Sequence, residues 1–178
     1  MLIKQIQSLA TLKKRIFAYI LDFLIILPYC ILLYFINLLL DFPLTSFFSH
    51  SAIFAQLVGF ACITLPVSIY FFICDYKLNG TLGKKRVHIQ IVDINHRKLG
   101  AYQVFVRTFF KFLPWEISHF VIWRFQLPTI LPNWFLDLVL SLVYVMIIGN
   151  LILVLKTKQK QTIHDILAHT QVVEIEQH

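Results

Sequence analysis

Long apolar runs separated by short basic stretches dominate the chain. Ile16 to Leu40 is 25 residues interrupted only by Asp22, Pro28 and Asn37. About twenty helical residues cross the ~30 Å hydrocarbon layer of a bilayer, so this run predicts a membrane-spanning helix. Ala52 to Cys74 has no charged side chain, with Gln56, Thr64, Ser68 and Tyr70 as its main polar positions, and predicts a second span. Trp134 to Leu155 predicts another, with Asp137 near its start and Asn150 near its end. The expected fold is all-α, a polytopic membrane helical bundle in one domain over residues 1–178.

The connecting stretches read differently. In Met1 to Lys14, Leu2, Ile3, Ile6 and Leu9 lie at near-helical spacing opposite Lys4, Gln5 and Gln7, which predicts an amphipathic lead-in on the membrane surface. Asp41-Phe42-Pro43 predicts the end of the first helix, and Ser46 to Ser51 a turn without Lys or Arg. From Asp75 to Gly100 the chain is polar and basic. Val87, Ile89 and Ile91 alternate there with His88 and Gln90 ahead of a turn over 93–98, predicting a short hairpin-like extended segment. A hairpin alone is marginal, so it must lean on headgroups or on the other basic segments. Within Lys156 to His178, TIHDILAHTQVVEI predicts a short surface helix and an extended end.

Composition agrees with a membrane protein: 58% of residues are hydrophobic and 15% aromatic, with a mean hydropathy of +0.75, against roughly 45–50% apolar in soluble domains. The net charge of +7 arises from Lys and Arg flanking apolar runs, which orients membrane helices and predicts no nucleic-acid binding. Cys30, Cys62 and Cys74 lack CxxC spacing and read as small apolar helix residues. Lys13-Lys14-Arg15 before an apolar run has the order of a signal peptide. The run is too long for one, contains Asp22 and lacks a small-residue cleavage site, so it is expected to stay as a helix.

Charge also bears on topology. Thirteen of the sixteen Lys and Arg residues lie before the first span, in 75–100 or after the last span, which places all three regions on the cytoplasmic side. The chain must then cross an even number of times, and three obvious spans are one short. Val104 to Phe125 is the candidate for a fourth crossing, ~33 Å long as a helix. The alternative places it in the interface with the end of the chain outside.

As a crossing it carries unusual chemistry. Arg107 falls near the inner boundary and Arg124 near the outer one, within snorkelling reach of headgroups. Lys111 is one turn in, and Glu116 and His119 lie about 13 and 18 Å beyond Arg107 on one face. Pro114 removes a backbone hydrogen bond just before them and predicts a kink. In the first span, Asp22 lies two turns after Arg15 on the same face, at the depth of Lys111. Intramembrane charges cost at least ~2.5–3.5 kcal/mol and should face the interior. Two readings fit: a staple pairing Asp22 with Lys111 or Arg107 and Glu116 with His119, or a polar pathway for a monovalent cation or protons. Asp137 and Arg124 share the outer level and can pair.

Other chemistry is weakly supported. Gly80-x-x-Gly83-Lys84 departs from a phosphate loop in spacing, with Lys85 where Ser or Thr should stand, and reads as a Gly turn beside headgroups. Glu116-x-x-His119 has the spacing of di-iron bundles but occurs once and lacks the further Glu residues. His164-Asp165-x-x-x-His169 lacks zinc-site spacing and reads as a surface polar motif. No metal, cofactor or enzymatic activity is expected.

KKRIFAYILDFLI, with Arg15 and Asp22 in Arg-x6-Asp spacing, GTLGKKRVHIQIVD, Arg107 in the next basic helix, and QTIHDILAHTQVV with Asp165 together resemble the RDD family of small bacterial integral membrane proteins, over about Leu12 to Val173. The resemblance implies a bacterial inner-membrane location, a bundle of three or more spans, and Arg15, Asp22 and Asp165 as family-pattern residues. KFLPWEISH looks like a subgroup feature. For function the family implies transport of an unidentified ligand, with sodium/proton antiport in some relatives.

Two functions follow. One is ion- or proton-coupled transport, with Asp22 and Glu116 as binding or protonation sites, His119 tuning Glu116, and Lys111 or Arg107 as counter-charge. The small size then predicts a homo-oligomer. The other is a membrane adaptor or regulator whose cytoplasmic surface, Lys77 to Lys98 with His164 to Thr170, binds a partner protein or anionic lipid.

Overall fold

A computed structural model describes residues 6–39 and 48–175. In chain order the elements are β1 (Ile6–Leu9), α1 (Leu12–Leu39), α2 (Ala52–Leu78), α3 (Leu82–Arg86), β2 (Ile89–Asp93), α4 (Ala101–Gln126), α5 (Asn133–Lys156), α6 (Ile163–Leu167) and β3 (Thr170–Ile175). The expected helix end at Asp41-Phe42-Pro43 and the first part of the turn after it lie outside the described residues. Among those residues, α1, α2 and α5 are long and apolar enough to cross a membrane. They turn large side chains such as Phe23, Leu57 and Leu138 outward, a contiguous apolar surface that water does not tolerate on a monomer.

The long elements match the expected runs to within a few residues, but the basic segments do not behave as independent surface pieces. The amphipathic lead-in is instead a strand over Ile6–Leu9. The extended segment after α2 does not fold back as a hairpin: β2 pairs antiparallel with β3, and β3 pairs on its other edge with β1, in the order β1-β3-β2. Three segments far apart in sequence thus form one sheet, and the mostly helical bundle carries an antiparallel cap. Its inner face packs Ile89, Ile91 and Val172 on Ala10, Ala18, Leu99 and Val104, so the core joins the sheet to the starts of α1 and α4. The helix predicted in the tail forms, but it is buried at His164 and Asp165.

Local chemistry explains the helix details. Ser51 caps α2, its hydroxyl accepting from the N–H of Phe54. Within α2 a π-helical turn spans Phe60–Thr64, with Pro66 two residues beyond it. Proline has no N–H for the carbonyl four residues back, which belongs to Cys62. The Tyr29 hydroxyl of α1 donates to that carbonyl at 2.6 Å, so the missing bond becomes a tie between helices. Asn150, the polar interruption near the end of α5, accepts from the N–H of Ile163 at 2.8 Å and anchors α6.

α4 runs antiparallel beside α2 over its whole length. From the sheet end outward the contacts are Asp75 with Arg107 (3.7 Å), Phe71 with Phe112 (ring centroids 5.4 Å), Thr64 with Glu116, and Gln56 with Arg124 (3.0 Å). The helix is continuous through Pro114.

Candidate functional site

Two groups of polar side chains occupy the bundle. The first sits at the sheet end. Asp165, fully buried, accepts from Arg15 at 3.1 Å and from the Arg107 guanidinium. Arg107 also donates to the Thr170 hydroxyl (2.9 Å) and lies 3.7 Å from Asp75, which in turn pairs with the Lys84 ammonium at 3.1 Å. A chain of alternating charge, Arg15–Asp165–Arg107–Asp75–Lys84, therefore links the starts of α1 and α4, the end of α2, α3 and α6. Every member is at most 6% exposed. The Asp165 carboxylate also accepts from the Thr162 N–H and hydroxyl, so one residue caps its own short helix and anchors two arginines.

Asp22 lies beside this chain but does not join it. Its carboxylate accepts from the Thr81 hydroxyl (2.5 Å), the Gly83 N–H (2.9 Å) and the Tyr70 hydroxyl (3.2 Å). Thr81 and Gly83 belong to the N-cap and first turn of α3, where backbone N–H groups lack helical partners, and Tyr70 reaches in from α2. Gly83 permits the approach: a Cβ there would stand 2.3 Å from the Ala18 carbonyl oxygen.

Burial decides the protonation of groups in this region. Desolvation lowers the Lys84 ammonium from its ordinary value, with Asp75 opposing the shift. His164 is pushed well down, first by burial and then by the positive charges of Arg107, Lys111, Lys84 and Arg15. At the sheet edge, burial raises the Glu174 carboxyl, but the hydrogen bonds from Lys14 (2.8 Å) and the Thr11 N–H outweigh it and hold it below its usual value.

The second group is further along α2 and α4. Thr64, the last residue of the π turn, donates its hydroxyl to Glu116 and accepts from the Trp115 indole N–H at 3.2 Å. Single π turns recur at functional sites because they re-aim side chains inside a helix. Glu116 lines a cavity of about 360 Å³ toward the sheet end. It also lines one of about 310 Å³ toward Gln56. On the α1 side of Thr64 a third cavity of about 360 Å³ is lined by Asp22 and Lys111 among aromatic residues. The Lys111 ammonium is shielded, without a hydrogen-bond partner among the described residues, and lies 3.2 Å from the Phe71 ring centroid and 4.9 Å from that of Tyr19.

These placements revise several sequence expectations. Asp22 and Lys111 do share a depth and line one cavity, but Asp22 pairs with neither Lys111 nor Arg107, because α3 supplies closer neutral donors. Arg107 does not snorkel, since Asp165 and Asp75 hold it in the interior. Glu116 and His119 do not pair: His119 turns its Nδ1 to the Trp115 carbonyl at 3.0 Å, while Glu116 faces Thr64. Arg124 binds Gln56 and the Phe120 carbonyl rather than Asp137. Lys84 faces Asp75 and not headgroups, and Asp165 is at the centre of a buried network, not on a surface. Sequence reading missed Asp75, Thr81, Lys84, Tyr70 and Thr64. The available signal was Thr81-Leu82-Gly83, an N-cap residue opening a short basic helix.

The RDD family model matches residues 9–169 of this chain. The chain belongs to the RDD family. No curated protein and no solved structure matches it. Arg15, Asp22 and Asp165, the residues on which the family resemblance rests, gather with Arg107 at the sheet end, where both aspartate carboxylates are hydrogen-bonded to the scaffold. The Glu116–Thr64 pair lies apart from this RDD network, on the seam of α2 and α4.

Proposed function

We propose that this RDD protein is a four-crossing membrane protein that couples movement of a monovalent cation to protons, with Glu116 as the titrating group of the pathway. The sheet supports the even number of crossings. Hydrogen-bonded strands cannot lie on opposite sides of a bilayer, and β1, β2 and β3 come from before α1, between α2 and α4, and after α5. With α1, α2 and α5 as crossings, α4 supplies the fourth, in keeping with its contacts along α2. The basic segments then lie on the cytoplasmic side by the charge rule, in the inner membrane of a bacterium.

The observation that carries the function is the position of Glu116 where two cavities meet, beside a re-aimed threonine and without an ion-pair partner among the described residues. An intramembrane carboxylate is expensive unless it binds a proton or a cation. Asp22 and Lys111 border the neighbouring cavity and set its charge. Arg107 and Arg15 act as scaffold. Inside-out vesicles carrying the protein should show Na⁺- or K⁺-induced release of an imposed pH gradient. Glu116→Gln should reduce it at least tenfold with membrane insertion unchanged. Equal activity in the two would exclude Glu116 from the pathway. A Cys-free protein with single cysteines at 128–132 should label from outside, and labelling only from the cytoplasmic side would refute the fourth crossing.

A second reading rests on the exposed basic side chains Lys77, Lys85, Arg86, Arg97 and Lys98, which suit anionic headgroups at the cytoplasmic surface. Binding there would orient the protein without involving the Glu116 seam.

A further inference from the structure

We propose that the species taken at Glu116 is a lipophilic organic cation, an ammonium or phosphonium carried on an apolar body, which displaces the proton. The inference rests on reading Glu116 as the titrating group of the pathway. It adds the chemical class of what competes with that proton.

The larger cavity beside Glu116 has a volume of about 360 Å³ and is lined by aliphatic side chains and the five rings of Phe60, Phe72, Phe105, Phe109 and Phe112. Its size falls within the ~300–1,000 Å³ of small-molecule sites. The remaining polar groups on its wall are the hydroxyls of Thr64, Ser68 and Thr108. Aromatic faces attract cations through the ring quadrupole, by ~2 kcal/mol or more when desolvated. One carboxylate among five aromatic rings therefore selects positive charge and rejects anions. A divalent metal ion fits poorly, because Ca²⁺ or Mg²⁺ demands about six or more oxygen ligands, and Glu116 with scattered hydroxyls offers few in an otherwise apolar wall. A cation with a hydrocarbon body satisfies both parts of the site, its charge at Glu116 and its apolar surface against the rings.

The same geometry gives an entry and an exit. Glu116 and Phe60 line both this cavity and the one of about 310 Å³ toward Gln56, so the carboxylate is reached from either direction along the seam. The phenylalanines on the wall are partly open at the bundle surface, Phe105 by 58% and Phe109 by 53%, which lets an amphiphile enter from the acyl-chain layer.

The ionisable groups that surround Glu116 are few. His119 lies one turn outward on α4 and Arg124 two turns outward, held by Gln56. Lys111, with Asp22 and Tyr19, lines the cavity on the α1 side of Thr64. Neither α2 nor α5 brings an ionisable side chain to the two Glu116 cavities. Proton competition with the bound cation is therefore assigned to Glu116.

The test is binding of tetraphenylphosphonium to the full-length protein in dodecyl maltoside, followed by calorimetry, with triphenylphosphine oxide as a neutral probe of similar shape. Saturable binding is expected that weakens as pH falls, releases protons into a weakly buffered solution, and is at least tenfold weaker for Glu116→Gln at an unchanged melting temperature. Absence of saturable binding, equal binding of the neutral probe, or equal binding by a folded Glu116→Gln overturns the inference. If that variant does not fold, proton release by the unmodified protein decides. Vesicles separate the two readings: Glu116-dependent Na⁺ or K⁺ flux without tetraphenylphosphonium binding overturns this inference and leaves coupled transport standing. Loss of both would remove the two together.

Discussion

Replacing Gly83 by alanine tests whether the RDD aspartate in α1 is a structural anchor. A Cβ at this position would stand 2.3 Å from the Ala18 carbonyl oxygen and 2.8 Å from Asp22 Oδ1, where ordinary contact begins at 3.4 Å. α3 must therefore retreat by about 1.1 Å from α1, the difference between 3.4 and 2.3 Å. That movement stretches the Gly83 N–H bond to Asp22, now 2.9 Å, and the Thr81 bond, now 2.5 Å. Overpacking of a tight contact costs about 1–3 kcal/mol, and a hydrogen bond to a charged acceptor contributes about 1.5–3 kcal/mol. The two terms overlap because the same shift relieves one and breaks the other, so the expected loss is about 3 kcal/mol. For a chain of this size that lowers the melting temperature by roughly 6–12 °C. Thermal unfolding of the purified protein in detergent measures it. Gly149→Ala is the control, since a Cβ there would meet only Ile163 Cδ1 at 4.0 Å, and alanine is the better helix former. A Gly83→Ala protein melting within 2 °C of the parent would refute the close docking of α3 on Asp22, as would an equal loss in the control.

Further outcomes follow from the buried network. Asp165→Ala removes the shared partner of Arg15 and Arg107 and leaves two buried guanidinium groups short of a counter-charge. The expected destabilisation is about 3–5 kcal/mol, read as loss of folded protein after detergent extraction, and an Asp165→Ala protein as stable as the parent would contradict the network. His164 supplies a pH dependence. Its folded-state pKa lies well below 6.5, so above that value both states are neutral and it contributes nothing. As pH falls below 6.5 the unfolded chain binds a proton that the folded one refuses, and stability declines, by up to about 1.4 kcal/mol per pH unit, until the depressed folded value is reached. His164→Gln should flatten that part of the stability–pH curve; an unchanged slope would assign it elsewhere.

The chain by itself determined the apolar runs, their lengths and the clustering of basic residues between them, because partitioning into a bilayer depends on local composition and on charge near the helix ends. It also singled out Asp22, Arg107, Lys111, Glu116 and His119 as residues whose presence in or near such runs needs a reason, while Asp165 read as part of a surface motif and drew notice only through the family resemblance. Periodicity could not assign their partners. Asp22 meets Gly83 across 61 positions and Arg15 meets Asp165 across 150, and no local spacing encodes contacts of that range. The same holds for the sheet. Ile6–Leu9 has an apolar spacing that suits a helix lying on a surface, and it becomes a strand only because β3 offers an open edge beside it, where unpaired backbone groups outweigh local preference. Tertiary structure also divided the charges: Arg15, Asp165, Arg107, Asp75 and Lys84 meet opposite charges from other segments, Asp22 meets neutral donors of α2 and the start of α3, and Glu116 meets a threonine hydroxyl.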